Sequence, residues 1–264
     1  MSAVVLMYHM VDSPQTEADK RFCRTPKEFE SDMQHLADEG YEVLSLSALH
    51  ACMRGERTWP RKAAAITFDD GVACGYTEAL PILRSFSYPA SMFIVSSLVD
   101  GHNDWAEAHG FSRRRMLRKE EIRELDRSGV DIGSHAATHR RLAALDKESV
   151  TRELRQSKNT LEDILGHEVK HLAYPYGSWS PDVKRAATEA GYTLACSTLP
   201  GKVRRGDHPM TLKRIEIKGT DSALQFRLKL KFGTQDMPPV SDARRLARQT
   251  LEKVGLLQAR TPRA

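Results

Sequence analysis

The chain has 264 residues, of which 40% are hydrophobic and 28% charged, so it can bury the core of one large domain and is neither fibrous nor disordered. The net charge of +5 comes mostly from local arginine clusters. No aromatic residues alternate with these clusters and no recognised motif accompanies them, so nothing indicates a nucleic-acid partner.

The N-terminal run and the cysteines favour a cytoplasmic protein. Residues 1–9 form a largely apolar run, but this run is too short for a signal peptide and has no basic leader. No stretch reaches the length of a membrane-spanning helix. Cys23, Cys52, Cys74 and Cys196 lie far apart without a CxxC pair, which predicts free thiols in a reducing compartment.

Short apolar runs alternate with helical patterns, which is typical of βα units around a mainly parallel sheet or barrel. The predicted strands are residues 4–8, 41–45, 63–68, 90–95, 130–133, 171–174, 193–196 and 213–217. The helices with the clearest start signals follow Thr25, Asp146 and Ser180, and they end near Gly40, Gly166 and Gly191.

Two segments depart from this alternation. Residues 101–115 predict a long loop, in which Trp105 is a candidate substrate contact. From residue 221 the strand pattern is lost, so we predict a barrel domain over residues 1–220 and a basic helical appendage over residues 221–264. The appendage, which includes Arg244, suits a peripheral contact with an anionic membrane or a lipid-linked substrate. The oligomeric state is not indicated.

Two adjacent carboxylates follow the strand predicted over residues 63–68. Asp69 and Asp70 precede Gly71, so they lie where a buried strand ends and the chain turns. In a βα barrel this end of the strand carries the active site, and the divergent side chains let one bind a cation while the other faces the substrate. Alone, an Asp-Asp-Gly sequence is more often a simple turn.

A pair of histidines follows another predicted strand. His135 and His139 are spaced i, i+4, which places both imidazoles on one face of a helical turn, close enough to share one metal ion. Such a pair often arises by chance. Together with one aspartate, it forms a set that leaves metal positions open for water and substrate.

Two further segments are candidates for catalysis. In Tyr174-Pro175-Tyr176-Gly177, the proline and glycine can direct a backbone N–H into the pocket as an oxyanion donor, although a plain aromatic turn is the simpler interpretation. His9, after the first strand, is a candidate general acid, although an isolated histidine there is usually structural.

These motifs, in this order, resemble the polysaccharide deacetylases of carbohydrate esterase family 4, over roughly residues 3 to 218. The resemblance implies an α/β fold, the irregular (β/α)7-type barrel. It implies that Asp69 is the catalytic base, that Asp70, His135 and His139 are the metal ligands, and that the Tyr176 amide is the oxyanion donor. Tyr174 and Pro175, beside Tyr176, are candidate substrate contacts.

Two departures from the family pattern bear on the site. Ala173 occupies the position where many members carry an arginine that steadies the catalytic aspartate. The C-terminal leucine-x-histidine motif, which supplies the general acid in many members, has no clean copy, and His208 lies in the right region but a different context. The chain is more similar to the branch of exopolysaccharide and cell-surface glycan deacetylases that begins with a Tyr-His motif, which makes His9 the general acid.

The resemblance implies metal-dependent removal of N-acetyl groups from an acetylated glycan with one divalent ion. Zinc is the expected ion, and cobalt, nickel and iron are the alternatives. Two alternatives stay open. One is a catalytically inactive glycan-binding module that keeps the metal as a structural link. The other is a metal-dependent hydrolase of another acyl bond, such as an O-acetyl ester or a formamide.

Overall fold

A computed structural model describes residues 1–107 and 109–235. Its strands are β1 (Ser2–Tyr8), β2 (Met10–Val11), β3 (Cys23–Arg24), β4 (Glu42–Val43), β5 (Ala63–Phe68), β6 (Ala90–Ile94), β7 (Val130–Ser134), β8 (His171–Ala173), β9 (Leu194–Cys196), β10 (Val203–Arg204) and β11 (Ile215–Glu216). Its α-helices are α1 (Pro26–Asp38), α2 (Leu46–Arg54), α3 (Leu80–Ser85), α4 (Asp104–Glu107), α5 (Lys119–Arg127), α6 (Lys147–Leu165), α7 (Pro181–Glu189) and α8 (Ala223–Phe232).

The main sheet is parallel apart from one edge strand. Its order is β10-β1-β5-β6-β7-β8-β9, with β11 beside β1 and β4 beside β5, and only β10 runs antiparallel. The segment before and within β11 joins the two ends of this order, because Leu212 bridges to Cys196 of β9 while Ile215 pairs with Leu6 of β1. The sheet therefore curls into the predicted irregular barrel.

Alternate residues of the strands separate two buried clusters, as the period of two in a strand requires. Val4 and Leu6 of β1 face the larger cluster, which also contains the apolar stripes of the outer helices. Ala3 and Val5 face a smaller cluster, into which α2 packs Leu49. Both faces of the strands are thus buried, so the side chains at the active-site end of the barrel come from the loops that follow the strands.

The three helix starts predicted from capping signals are confirmed. Thr25 and Glu28 form a reciprocal capping box at α1, and the side chains of Asp146 and Ser180 accept N–H bonds at the starts of α6 and α7. Gly166 ends α6 in the left-handed conformation, which glycine adopts without steric cost. No helix in the described ranges is long and apolar enough to cross a membrane.

Residues 221–235, which begin the predicted appendage, pack against the barrel. Phe226 and Leu230 of α8 belong to the main core, and the Lys229 ammonium donates to the backbone carbonyl of Glu216 in β11. Because this apolar face and the buried lysine are held by the barrel, residues 221–235 are continuous with it. The basic segment predicted after Met237 lies outside the described residues.

Candidate active site

The predicted catalytic residues and metal ligands meet at one end of the barrel. His9 follows β1, Asp69 and Asp70 follow β5, His135 follows β7, and Tyr176 lies shortly after β8. These strands are parallel, so their carboxyl ends share one edge of the sheet. All five residues line a single cavity of about 470 Å³.

Asp70, His135 and His139 form a group that could hold a metal ion. One ligand atom from each lies within 4.8 Å of the others. The Asp70 Oδ1 atom is 3.3 Å from His139 Nε2 and 3.6 Å from His135 Nε2. Two imidazoles and one carboxylate are a donor set that suits a divalent ion with open positions for water and substrate, so the residues present fit such an ion.

Two features of His135 suit it to bind a metal ion. Its Nδ1 lies 2.8 Å from the backbone oxygen of Ala173, and donation there leaves the lone pair on Nε2, toward Asp70. Burial lowers the pKa of His135 to about 4, despite the opposing charge of Asp69. A neutral imidazole at physiological pH is the form that binds a metal ion.

The histidine segment is not the predicted helical turn. Residues 135–140 form a loop after β7, and Ala136 and His139 have φ values of 60° and 58°. These left-handed residues bring the His135 and His139 rings to 5.0 Å between centroids. The two histidines therefore lie close together because of the loop conformation and not because of a helical turn.

Glu153 of α6 holds this loop. Its Oε2 atom accepts the N–H groups of Ala137 at 3.0 Å and Thr138 at 2.9 Å, and its Oε1 atom accepts the Thr138 hydroxyl. The carboxylate is buried, so these three donors replace its lost hydration. It therefore fixes the backbone just before the ligand His139.

The carboxylate of Asp69 is paired with an arginine that the sequence motifs did not identify. Arg214 donates from Nη1 to Oδ1 at 2.6 Å and from Nη2 to Oδ2 at 2.7 Å, and it is fully buried. Burial raises the pKa of Asp69, but Arg214, with His135 and His9, outweighs it and holds the net pKa below its usual value. Arg214 thus makes the contact with Asp69 that the resemblance predicts for an arginine at the position of Ala173.

Of the two candidate general acids, only His9 lines the cavity. Its Nδ1 atom is buried with no hydrogen-bond partner in the described chain, and its ring meets Phe22 edge-on at 4.9 Å. His208 instead accepts the N–H of Met210 and begins a short helical turn that does not line the cavity.

The aromatic candidates separate into two groups. Tyr176 and Trp105 line the cavity, with their rings 4.6 Å and 4.7 Å from the ring of His139. Tyr174 and Pro175 are buried and do not line it, and the Tyr174 hydroxyl donates to the carbonyl of Met210. The structure therefore places neither residue where it could contact a substrate in this cavity, because Tyr174 belongs to the main core and Pro175 is buried.

The backbone of Tyr176 is strained. Its φ and ψ angles are 57° and 15°, in the left-handed region that a residue other than glycine seldom adopts. Within residues 1–107 and 109–235 its N–H makes no hydrogen bond. Because Tyr176 lines the cavity, its N–H stays the candidate oxyanion donor.

Comparison with known proteins places this geometry in a family. The polysaccharide deacetylase profile matches residues 56–195, just over half of the chain. The Bacillus subtilis protein YxkH, named for polysaccharide deacetylation, is 27% identical over 223 residues, covering 84% of this chain and 74% of its own. A Staphylococcus aureus poly-beta-1,6-N-acetyl-D-glucosamine N-deacetylase is 25% identical over 218 residues, covering 73% and 72%.

A solved structure supports the same fold. The deacetylase PplD of Streptococcus pyogenes superposes with a TM-score of 0.76 at 24% identity, over 87% of this chain and 98% of its own. The barrel fold and the profile match both agree with the sequence motifs that supply the residues of the cavity. The chain belongs to the polysaccharide deacetylase family.

Proposed function

We propose that the protein removes N-acetyl groups from an acetylated glycan by metal-dependent hydrolysis, releasing acetate and a free amine. One observation carries this proposal: a carboxylate held by an arginine lies beside a two-histidine, one-aspartate group in the same cavity. The relative from Staphylococcus aureus is named for the same reaction on poly-N-acetylglucosamine.

The residues have separate tasks in this reaction. Asp69, oriented by Arg214, takes a proton from water, which attacks the acetamide carbonyl carbon. The N–H of Tyr176 donates to the oxygen that becomes negative. His9 gives a proton to the nitrogen as the carbon–nitrogen bond breaks, and proton exchange with solvent restores both groups.

Asp70, His135 and His139 would hold the metal ion, which we propose to be zinc, with cobalt, nickel or iron as substitutes. When bound, the ion would polarise the carbonyl and lower the pKa of the attacking water. Zinc is favoured because nitrogen and carboxylate ligands with open positions are typical of hydrolytic zinc sites.

The test is acetate release by protein that has been stripped of metal and reloaded with zinc. We expect turnover of an N-acetylglucosamine oligosaccharide by the loaded parent, and a loss of at least about a hundredfold in Asp69→Asn, since general base catalysis contributes that much. Asp69→Asn should keep its zinc, whereas His139→Ala should lose it. Turnover by Asp69→Asn equal to the parent would contradict the assignment of the base.

The same assay addresses the other acyl bonds. Matched O-acetyl and N-formyl sugars should be poorer substrates than the N-acetyl sugar. Full zinc binding without hydrolysis of any of the three would favour a glycan-binding module. The cytoplasmic location and the contact with an anionic membrane stay predictions, and the basic segment behind the second lies outside the described residues.

A further inference from the structure

The charges that line the cavity are almost fully paired. Three carboxylates face it among the described residues, namely Asp69, Asp70 and Glu216. Asp69 is matched by Arg214, and Asp70 belongs to the candidate metal group. Glu216 is matched by Arg21, whose Nη2 lies 2.7 Å from its Oε2. Each of the three carboxylates therefore lies either in an arginine pair or in the candidate metal group.

Arg141 is the exception among the cavity-lining charges. Its guanidinium carbon lies 4.3 Å from the centre of the Tyr176 ring, so it stacks on that ring. Within residues 1–107 and 109–235, no carboxylate lies within 4.0 Å of its nitrogen atoms. The side chain is exposed, so no desolvation cost opposes its charge.

The stacking leaves the guanidinium ready to bind an anion. Contact with a ring uses the flat face of the group, while its N–H edges stay free. The planar fork then matches the two oxygens of a carboxylate or phosphate, and less side-chain entropy is lost on binding because the ring already limits its motion.

The position of this guanidinium relates it to the reaction. Tyr176 contacts both Arg141 and the candidate ligand His139, since its ring centre lies 4.6 Å from the His139 ring centre and 4.3 Å from the guanidinium carbon. Because both groups contact the same ring, an anion on Arg141 would lie within about one sugar unit of an acetamide held at the metal group.

We propose that Arg141, on its Tyr176 support, is a subsite for an oxyanion of the substrate. The glycan would then carry a phosphate or a carboxylate within about one sugar unit of the acetylated nitrogen. This inference rests on the proposed deacetylation, since it names the class of glycan that the same cavity takes.

Binding to the zinc-loaded Asp69→Asn variant tests the subsite without turnover. We would measure the affinity for N-acetylglucosamine 1-phosphate and for its neutral methyl glycoside by calorimetry, and take the ratio of the two. Replacing the charged donor in Arg141→Gln should lower this ratio by about tenfold to a hundredfold, since a hydrogen bond to a charged group contributes about 1.5–3 kcal/mol.

The adjacent Arg140 provides a matched control. It is also exposed but does not line the cavity, so Arg140→Gln should leave the affinity ratio unchanged. A disaccharide with a uronic acid next to N-acetylglucosamine distinguishes carboxylate from phosphate as the natural anion. Inorganic phosphate alone reports the part of the affinity that needs no sugar.

The outcomes separate this inference from the proposed function. An affinity ratio near one in the Asp69→Asn variant, or the same ratio after Arg141→Gln is added, would overturn the subsite even if neutral oligosaccharides release acetate. A ratio that depends on Arg141 but not on Arg140 would support it. Failure of every sugar to release acetate would count against deacetylation, while the binding ratios would still decide the role of Arg141.

Discussion

At the scale of single residues, the pairing of Asp69 with Arg214 determines what the carboxylate can do. A buried carboxylate without a partner would take up a proton and could not act as a base. The bidentate arginine keeps it ionised and fixes the direction of both oxygens. Ala173 stands where the resemblance predicts this arginine, and Arg214, 41 positions later, makes the contact with Asp69.

Replacing this arginine should separate its charge from its geometry. In Arg214→Met we expect kcat to fall by about a hundredfold or more and the free energy of unfolding to fall by about 3–5 kcal/mol, because a buried carboxylate loses its partner. Arg214→Lys keeps the charge but not the two parallel bonds, so both losses should be smaller. Urea unfolding and acetate release measure them. Wild-type kcat in folded Arg214→Met would contradict this role.

At the scale of elements, α6 acts on the candidate metal group through the loop before His139. Glu153 uses both carboxylate oxygens on this loop, so the position of a ligand depends on a helix that does not itself line the cavity. Groups that orient metal ligands in this way typically change metal affinity by tenfold to a hundredfold when they are replaced.

We therefore expect Glu153→Gln to weaken zinc binding by about tenfold to a hundredfold. The amide keeps the size of the side chain but loses the charge that accepts three donors. Asp163→Asn, at an exposed position of the same helix, removes an equal charge and should leave zinc affinity unchanged. Competition with a chromogenic chelator measures both. Equal affinities in the two variants would show that the loop keeps its shape without Glu153.

The elements also show what could be predicted from the sequence. Strands and capped helices were predictable, because hydrophobic alternation and caps are local signals. The shape of the 135–140 loop was not, since Ala136 and His139 adopt positive φ without a glycine to signal it. Arg214 was missed because its contact with Asp69 spans 145 residues, and only closure of the barrel brings the two together.

At the scale of the whole molecule, α8 packs the part of the chain that follows β11 against the barrel. The exposed Leu224 and the buried Phe226 lie on different faces of the helix, and only the second contacts the main core. The sequence predicted an appendage here because the strand pattern ended. The end of a strand pattern marks the end of the sheet, however, and not the end of the core.

If α8 is part of the barrel, its buried face should contribute to the stability of the whole. Phe226→Ala should lower the free energy of unfolding by about 3–5 kcal/mol, the usual cost of removing a buried phenylalanine. Leu224→Ala is the control, for which we expect a change within about 0.5 kcal/mol. A separate early thermal transition in Phe226→Ala, with the main transition unmoved, would instead indicate an independent unit.

The segment before and within β11, which joins the two ends of the sheet, has a consequence for protein synthesis. Asp69 leaves the ribosome 145 residues before the arginine that neutralises it, an interval of about 7–30 s at ordinary rates of translation. Until then the nascent chain cannot bury this carboxylate in its charged form without a large cost. The catalytic cavity should consequently be among the last parts of the protein to form, and chains that terminate before Arg214 should be released without activity.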